Sequence, residues 1–325
     1  MPTFPGGRSA YRDPGEGYVH DAFMFDGVEE LVTDGAPFLA EGLAAGEDVI
    51  LACTPDHNDA LRDALPHDAA VTVLDQAATY RRVTSALTSY LRLTRRLTRE
   101  PGHRVRVIGE VAFRDEPADW RDWGRYESLC NQTLAPYPLW SVCAYDTRRL
   151  SQDVLRSARR THPYLREPGV RFRNRGFIEP ERFLHLVADP PVLPVQRTPP
   201  SLSVPRVDGD TDVRQLLSRH LGETLAGRDG RTRDDFALAV HELVVNAVTH
   251  GRPPVAITVW TSPEQLVCTV TDHGPGFDDV FAGFDLDPAG GAARPLGLWL
   301  ARQACDDLAA FVAEDGFTVR VMSRL

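Results

Sequence analysis

The stretch HELVVNAVTHG, residues 241–251, sets a carboxylate, an amide and an imidazole four residues apart: Glu242, Asn246 and His250. On an α-helix this spacing makes one polar line, and Leu243, Val244, Ala247 and Val248 supply much of the apolar surface around it. An amide oxygen can ligate a hard cation such as Mg²⁺, and a carboxylate beside it can polarise an attacking hydroxyl or water. The same pattern also fits a plain amphipathic helix with a solvated polar stripe.

A second group follows in TDHGPGF, residues 271–277, at the end of a β-branched, strand-like run. Gly274 and Gly276 permit backbone angles and close approaches that other residues forbid. Asp272 is placed to accept a hydrogen bond from an exocyclic amine, as adenine would present. Alone, Asp-x-Gly-x-Gly reads equally well as a turn; downstream of a Glu-x-x-x-Asn helix, the nucleotide reading gains. A third segment, PLGLWLARQACDDL from Pro295, puts Gly297 and Leu298 at the start of a helical pattern, where free backbone amides bind anions.

The elements around these groups are two helices, Thr211 to Ala226 and Arg233 to His250, then strands Val255 to Thr261 and Gln265 to Asp272. A Gly-rich loop with Gly290 and Gly291, a helix from Leu298 to Asp307 and strands near Ala309 to Ala313 and Phe317 to Met322 complete the set. Helices first and a mostly antiparallel sheet after predict an α+β sandwich.

Together the three segments resemble the N, G1 and G2 boxes of GHKL (Bergerat-fold) ATPases. The resemblance covers about 206–325 and implies an ATP site with Mg²⁺. In it Glu242 is the general base, Asn246 the metal ligand, and Asp272 the partner of the adenine amine. Gly274, Gly276, Gly297 and Leu298 cradle the nucleotide, and His250 shares the face. One departure stands out: Pro295 occupies the place of an expected glycine, which removes an amide donor and predicts slow turnover.

Composition narrows the rest. The 325 residues suit two domains, and the net charge of −10 disfavours a nucleic-acid partner. All 36 basic residues are arginine, which excludes Schiff-base chemistry and any Walker-A P-loop. No apolar run is long enough to span a bilayer, and the first eighteen residues read as a Pro/Gly-rich tail, so a cytoplasmic protein is expected. Five scattered cysteines (Cys53, Cys130, Cys143, Cys268, Cys305) suit neither a disulfide framework nor a zinc site and read as small buried side chains.

Between about Gly17 and Pro163, strand-like runs (48–54, 70–74, 104–109, 139–145) alternate with helical patterns (59–65, 77–98, 119–134, 149–160). This predicts an α/β domain with a parallel sheet. Residues 187–205 hold six prolines in nineteen positions and read as an extended linker.

EGLAAGEDVILACTPDHNDALRDAL, RVRVIGEVAFRD, WGRYESLCNQTL and LWSVCAYDTRRLSQDVLRSARRTHPYL resemble the MEDS sensory domain over about 17–165. That domain is a relative of RecA- and KaiC-like folds without the P-loop. Glu110, Glu127, Asn131, Tyr145, Asp146 and His162 fall near predicted element ends, where α/β sheets bind ligands; they fit equally as caps and structural contacts.

The compact C-terminal domain most resembles the anti-sigma-factor serine kinases of bacterial partner switching. That resemblance implies a sigma factor and an anti-anti-sigma (STAS-type) protein as partners, transfer from ATP to a Ser or Thr of the latter, and homodimerisation by analogy. Two readings stand beside it: a binding-only module whose nucleotide is structural, and a histidine kinase using His220.

Overall fold

The computed structural model describes residues 17–100, 102–113, 119–188, 190–207, 212–225, 230–284 and 296–325. The N-terminal tail, Gly290, Gly291 and Pro295 lie outside the described residues. The chain divides into two compact units between Phe183 and Leu184.

The N-terminal unit is built on β1 (Val19–Phe25), β2 (Asp48–Ala52), β3 (Val71–Val73), β4 (Val105–Gly109), β5 (Leu139–Asp146), β6 (Tyr164–Glu167) and β7 (Val170–Arg173). The strand order is β3-β2-β4-β5-β1-β6-β7. The pairs are parallel except β6 with β7, an antiparallel hairpin at one edge. The helices are α1 (Val28–Ala44), α2 (Pro55–Asp63), α3 (Gln76–Thr79), α4 (Val83–Leu97), α5 (Asp119–Thr133), α6 (Gln152–Thr161) and α7 (Pro180–Leu186), the last spanning the boundary.

Two central elements escape the sequence reading, for a physical reason. In β1, His20 and Asp21 interrupt the apolar run, yet both are buried. Asp21 is compensated by Arg171, at 2.8 and 3.0 Å, and by Trp140 Nε1 at 3.0 Å. Helix α1 contains Pro37 and Gly35; a Cβ at Gly35 would stand 2.9 Å from Leu61 Cδ2, so close packing on α2 excludes a side chain there. The helix expected over 77–98 is broken: Asp75 caps α3, and Tyr80 turns inward so that its hydroxyl lies 2.8 Å from that of Tyr90. The β1–α1 turn is Asp26-Gly27, with Gly27 at φ +95° and the Arg148 guanidinium against it.

The C-terminal unit is an antiparallel sheet ordered β11-β12-β10-β9-β8 with helices on one face. Its strands are β8 (Leu202–Val204), β9 (Ala256–Thr261), β10 (Gln265–Asp272), β11 (Asp307–Ala313) and β12 (Gly316–Arg324). Its helices are α8 (Val213–Thr224), α9 (Gly230–His250) and α10 (Leu296–Ala304). Phe236, Val240, Leu243 and Ala247 of α9 pack on Ile257, Val259, Leu266, Cys268 and Val270 in one apolar core. Helix α10 ends three residues before Asp307, which begins β11 and pairs with Arg320 at 3.2 Å.

The proline-rich stretch carries some structure of its own. It forms a 3₁₀ turn, Pro194–Arg197, and the edge strand β8, which pairs with β9. Val195 packs with Val267 and Met322 on the sheet face away from the helices, since alternate strand residues point to opposite faces. Trp260 Nε1 donates to Thr198 O and Arg320 to Pro191 O. Proline suits this position because an edge strand leaves backbone groups outside the ladder.

Candidate functional site

Helix α9 and the end of β10 meet over a cavity of about 340 Å³ lined by Leu243, Asn246, Ala247, His250, Gly251, Val270, Asp272, Gly276, Phe277, Leu298, Trp299 and Phe317, among others. Its walls are largely apolar. Asp272 is 7% exposed, and its Oδ1 accepts from Gly274 N at 2.6 Å and Arg252 N at 3.2 Å. Among the described residues nothing hydrogen-bonds Oδ2, so one acceptor stays available in an apolar surround.

Three glycines hold this corner tight. A Cβ at Gly251 would meet Asp272 Cγ at 2.4 Å, and one at Gly274 would meet Asp272 Oδ1 at 2.7 Å. Gly276, at φ +72°, would drive a Cβ to 2.3 Å from the Phe317 ring. Gly297, in the first turn of α10, lies against the other end of the motif: its Cβ would stand 2.6 Å from Glu242 Oε2 and 3.4 Å from Asn246 Oδ1.

In the N-terminal unit a larger crevice, about 690 Å³, opens outside the carboxyl ends of β2, β4 and β5. Thr54, Gln76, Glu110, Asp146, Arg149 and Asp153 contribute to its lining. Glu110 Oε2 accepts from Thr54 N at 3.0 Å and lies 2.8 Å from His57 Nδ1. That carboxylate holds the His57 imidazole above its ordinary pKa, against the opposing effect of burial.

The family comparisons follow the same division. Residues 19–163 match the model of the MEDS family (MEthanogen/methylotroph, DcmR Sensory domain), and residues 210–323 match that of the histidine kinase-like ATPase domain. The chain carries a MEDS domain followed by a GHKL-like ATPase domain. No curated protein matches it. Among the described residues no helix is long and apolar enough to cross a membrane.

In the ATPase domain, Asn246, His250, Asp272, Gly276 and Leu298 line the 340 Å³ cavity together. Glu242 is half-buried beside Gly297, outside that lining, and Gly274 serves by packing on Asp272. His250 is exposed at the last position of α9. Gly251 and Phe317 join the lining beyond the residues that the motifs point to, and the position of Gly251 directly after the Glu-Asn-His line is the signal in the sequence.

In the MEDS domain the six polar residues separate into two places. Glu110 and Asp146 line the open crevice. Glu127, Asn131, Tyr145 and His162 gather instead inside the domain, with His20 and Cys143. Burial pushes the Glu127 carboxyl and the Cys143 thiol up, and brings His20 down to about 4 and His162 to about 3. Both imidazoles are therefore neutral near pH 7. Sequence reasoning missed His20 because its strand was not read, and Cys143 because its neighbours in space lie far off along the chain.

Proposed function

We propose that the ATPase domain binds Mg·ATP in the 340 Å³ cavity and transfers the γ-phosphoryl group to a serine or threonine of an anti-anti-sigma antagonist, while also binding a sigma factor. The MEDS domain would set this activity in response to a ligand in its crevice. The observation that carries the nucleotide reading is Asp272: one carboxylate oxygen is fixed by two backbone amides and the other is left to accept from an amine in an apolar slot. A flat heteroaromatic base with an exocyclic amine satisfies both features.

Asn246 offers the hard oxygen that Mg²⁺ requires, on the same helix line as Glu242. Bound there, the ion would neutralise charge on the triphosphate. Glu242 would take the proton of the attacking hydroxyl, and the amides at the start of α10 would hold the phosphates. Gly297 permits the three to lie together, because no side chain stands between them.

The serine-kinase reading is favoured over a histidine kinase by the helix ahead of α9. It is α8, only twelve residues long; its His220 is half-buried and bonded at 3.1 Å to Ser201 Oγ. Two experiments test the proposal. Calorimetry should show ATP and ADP binding that needs Mg²⁺ for its ATP component, and labelled ATP should give an acid-stable phosphoprotein with an antagonist recovered alongside a sigma factor. Absence of nucleotide binding would sink the reading; an acid-labile product would move it to histidine chemistry; binding without transfer would leave a regulatory module whose nucleotide is structural.

A further inference from the structure

The buried cluster in the MEDS domain has the composition and geometry of a metal centre. Its donors come from four elements: His20 on β1, Glu127 on α5, Cys143 on β5 and His162 at the end of α6. His20, Glu127 and His162 are each no more than 2% exposed. Their ligand atoms and Cys143 Sγ all lie within 4.8 Å of one another.

Hydrogen bonds decide which atoms face inward. Asn131 Nδ2 donates to Thr161 O at 2.8 Å and to Glu127 O at 3.0 Å, so its Oδ1 must be the atom facing His20 Nδ1, at 3.1 Å. That acceptor puts the His20 proton on Nδ1 and leaves Nε2 unprotonated, turned toward Glu127 Oε2 and Cys143 Sγ. His162 Nδ1 likewise donates to Ala158 O at 2.9 Å, which leaves its own Nε2 bare. Two imidazoles fixed through Nδ1 to a carbonyl and an amide, with both Nε2 atoms converging, follow the outer-shell pattern of metal-ligating histidines. The His162 Nε2 atom is fully enclosed and has no hydrogen-bond partner.

Four of the six donor pairs lie near the separations that one ion requires. Glu127 Oε2 stands 3.1 Å from His20 Nε2, 3.6 Å from His162 Nε2 and 3.5 Å from Cys143 Sγ, and His20 Nε2 is 3.4 Å from that sulfur. Bonds of about 2.0–2.3 Å in a tetrahedron put neighbouring donors about 3.3–3.8 Å apart. Tyr145 holds the other Glu127 oxygen at 2.9 Å, aiming Oε2 at the centre.

We propose that His20, Glu127, Cys143 and His162 bind one Zn²⁺-class divalent transition metal inside the MEDS domain. The mixed nitrogen, sulfur and oxygen donors select such an ion over Mg²⁺ or Ca²⁺. Binding forms two metal–nitrogen bonds, one metal–sulfur and one metal–oxygen bond. The thiol gives up its proton to solvent, and the thiolate and carboxylate, two anionic ligands, cancel the ion's two charges so that the buried site is neutral. A neighbouring hollow of about 20 Å³, lined in part by Tyr18, Tyr126 and Cys130, has room for a single water.

The test uses the full-length protein purified without chelator or metal-affinity resin. Elemental analysis should find about one zinc per chain after dialysis with limiting zinc. Cobalt substitution should give a sulfur-to-cobalt charge-transfer band with the intense visible absorption of four-coordinate Co²⁺. Cys143→Ser should lose the charge-transfer band, and His162→Gln should weaken zinc binding at least 100-fold, while Cys130→Ser keeps both properties. Asn131→Ala, acting through His20, should weaken affinity by about 10–100-fold. Wild-type protein that takes up no zinc or cobalt, or cobalt bound without a thiolate band, overturns the proposal, and this holds even if a variant fails to fold.

Discussion

Gly297 and Glu242 stand so close that a single added carbon would fall 2.6 Å from the Glu242 carboxylate, with no backbone atom as the nearest neighbour. The far end of a flexible side chain can give way, so the fold tolerates Gly297→Ala. Alanine in a helix is favoured over glycine by about 0.5–1 kcal/mol, so thermal stability should hold or rise. The carboxylate, however, must swing from its place beside Asn246. Phosphoryl transfer should then drop by about 10²-fold, the usual cost of a misplacement near 1 Å. Unfolding curves and a transfer assay on the same preparation check it; loss of activity together with loss of stability would assign Gly297 to folding alone.

Asp272→Asn separates the two oxygens of that side chain. The amide oxygen can still accept from Gly274 N and Arg252 N, which preserves the turn. Its NH₂ then faces the ligand, donor against donor for adenine but donor against acceptor for guanine. ATP affinity should fall by about 1–3 kcal/mol, and the preference for ATP over GTP should narrow. Calorimetric titration with both nucleotides measures this. An unchanged ratio would mean that Asp272 does not read the base.

Glu242→Gln removes a base and keeps the shape. Because Glu242 lies outside the lining of the cavity, nucleotide affinity should change little while transfer falls by roughly 10²-fold or more. Single-turnover transfer with saturating ATP is the measurement, and a wild-type rate would remove Glu242 from the chemistry.

His57 gives the MEDS domain a pH dependence of defined sign. Its folded-state pKa lies above the ordinary 6.5 because Glu110 stands 2.8 Å away, helped by Asp146 and opposed by burial and Arg149. Phe25 contacts the ring edge-on. A raised pKa means the folded state holds the proton more tightly, so the stabilisation is complete below pH 6.5 and is lost as pH rises through the folded-state value. The thermal stability of wild type should therefore fall above pH 6.5 relative to His57→Gln. Parallel curves for the two proteins across that range would refute it.

The sequence alone determined the features that depend on neighbours along the chain. The four-residue spacing of Glu242, Asn246 and His250 dictated one helix face, and the run before Asp272 dictated a strand that ends at a Gly-rich turn. The absence of lysine removed the P-loop by composition alone. Only the tertiary structure decided the rest. Strand β1 was illegible because its polar residues are compensated by Trp140 and Arg171, more than a hundred positions away, and by Arg166 at 4.0 Å. The prolines of 187–205 read as an extended linker, and composition cannot say that a sheet edge and face receive part of that stretch. Cys143 read as an inert thiol because metal-site spacing rules presume ligands from one segment, and here β1, α5, β5 and α6 bring one donor each. Local pattern is set by backbone geometry, which the chain carries everywhere; convergence is set by packing, which only the folded chain possesses.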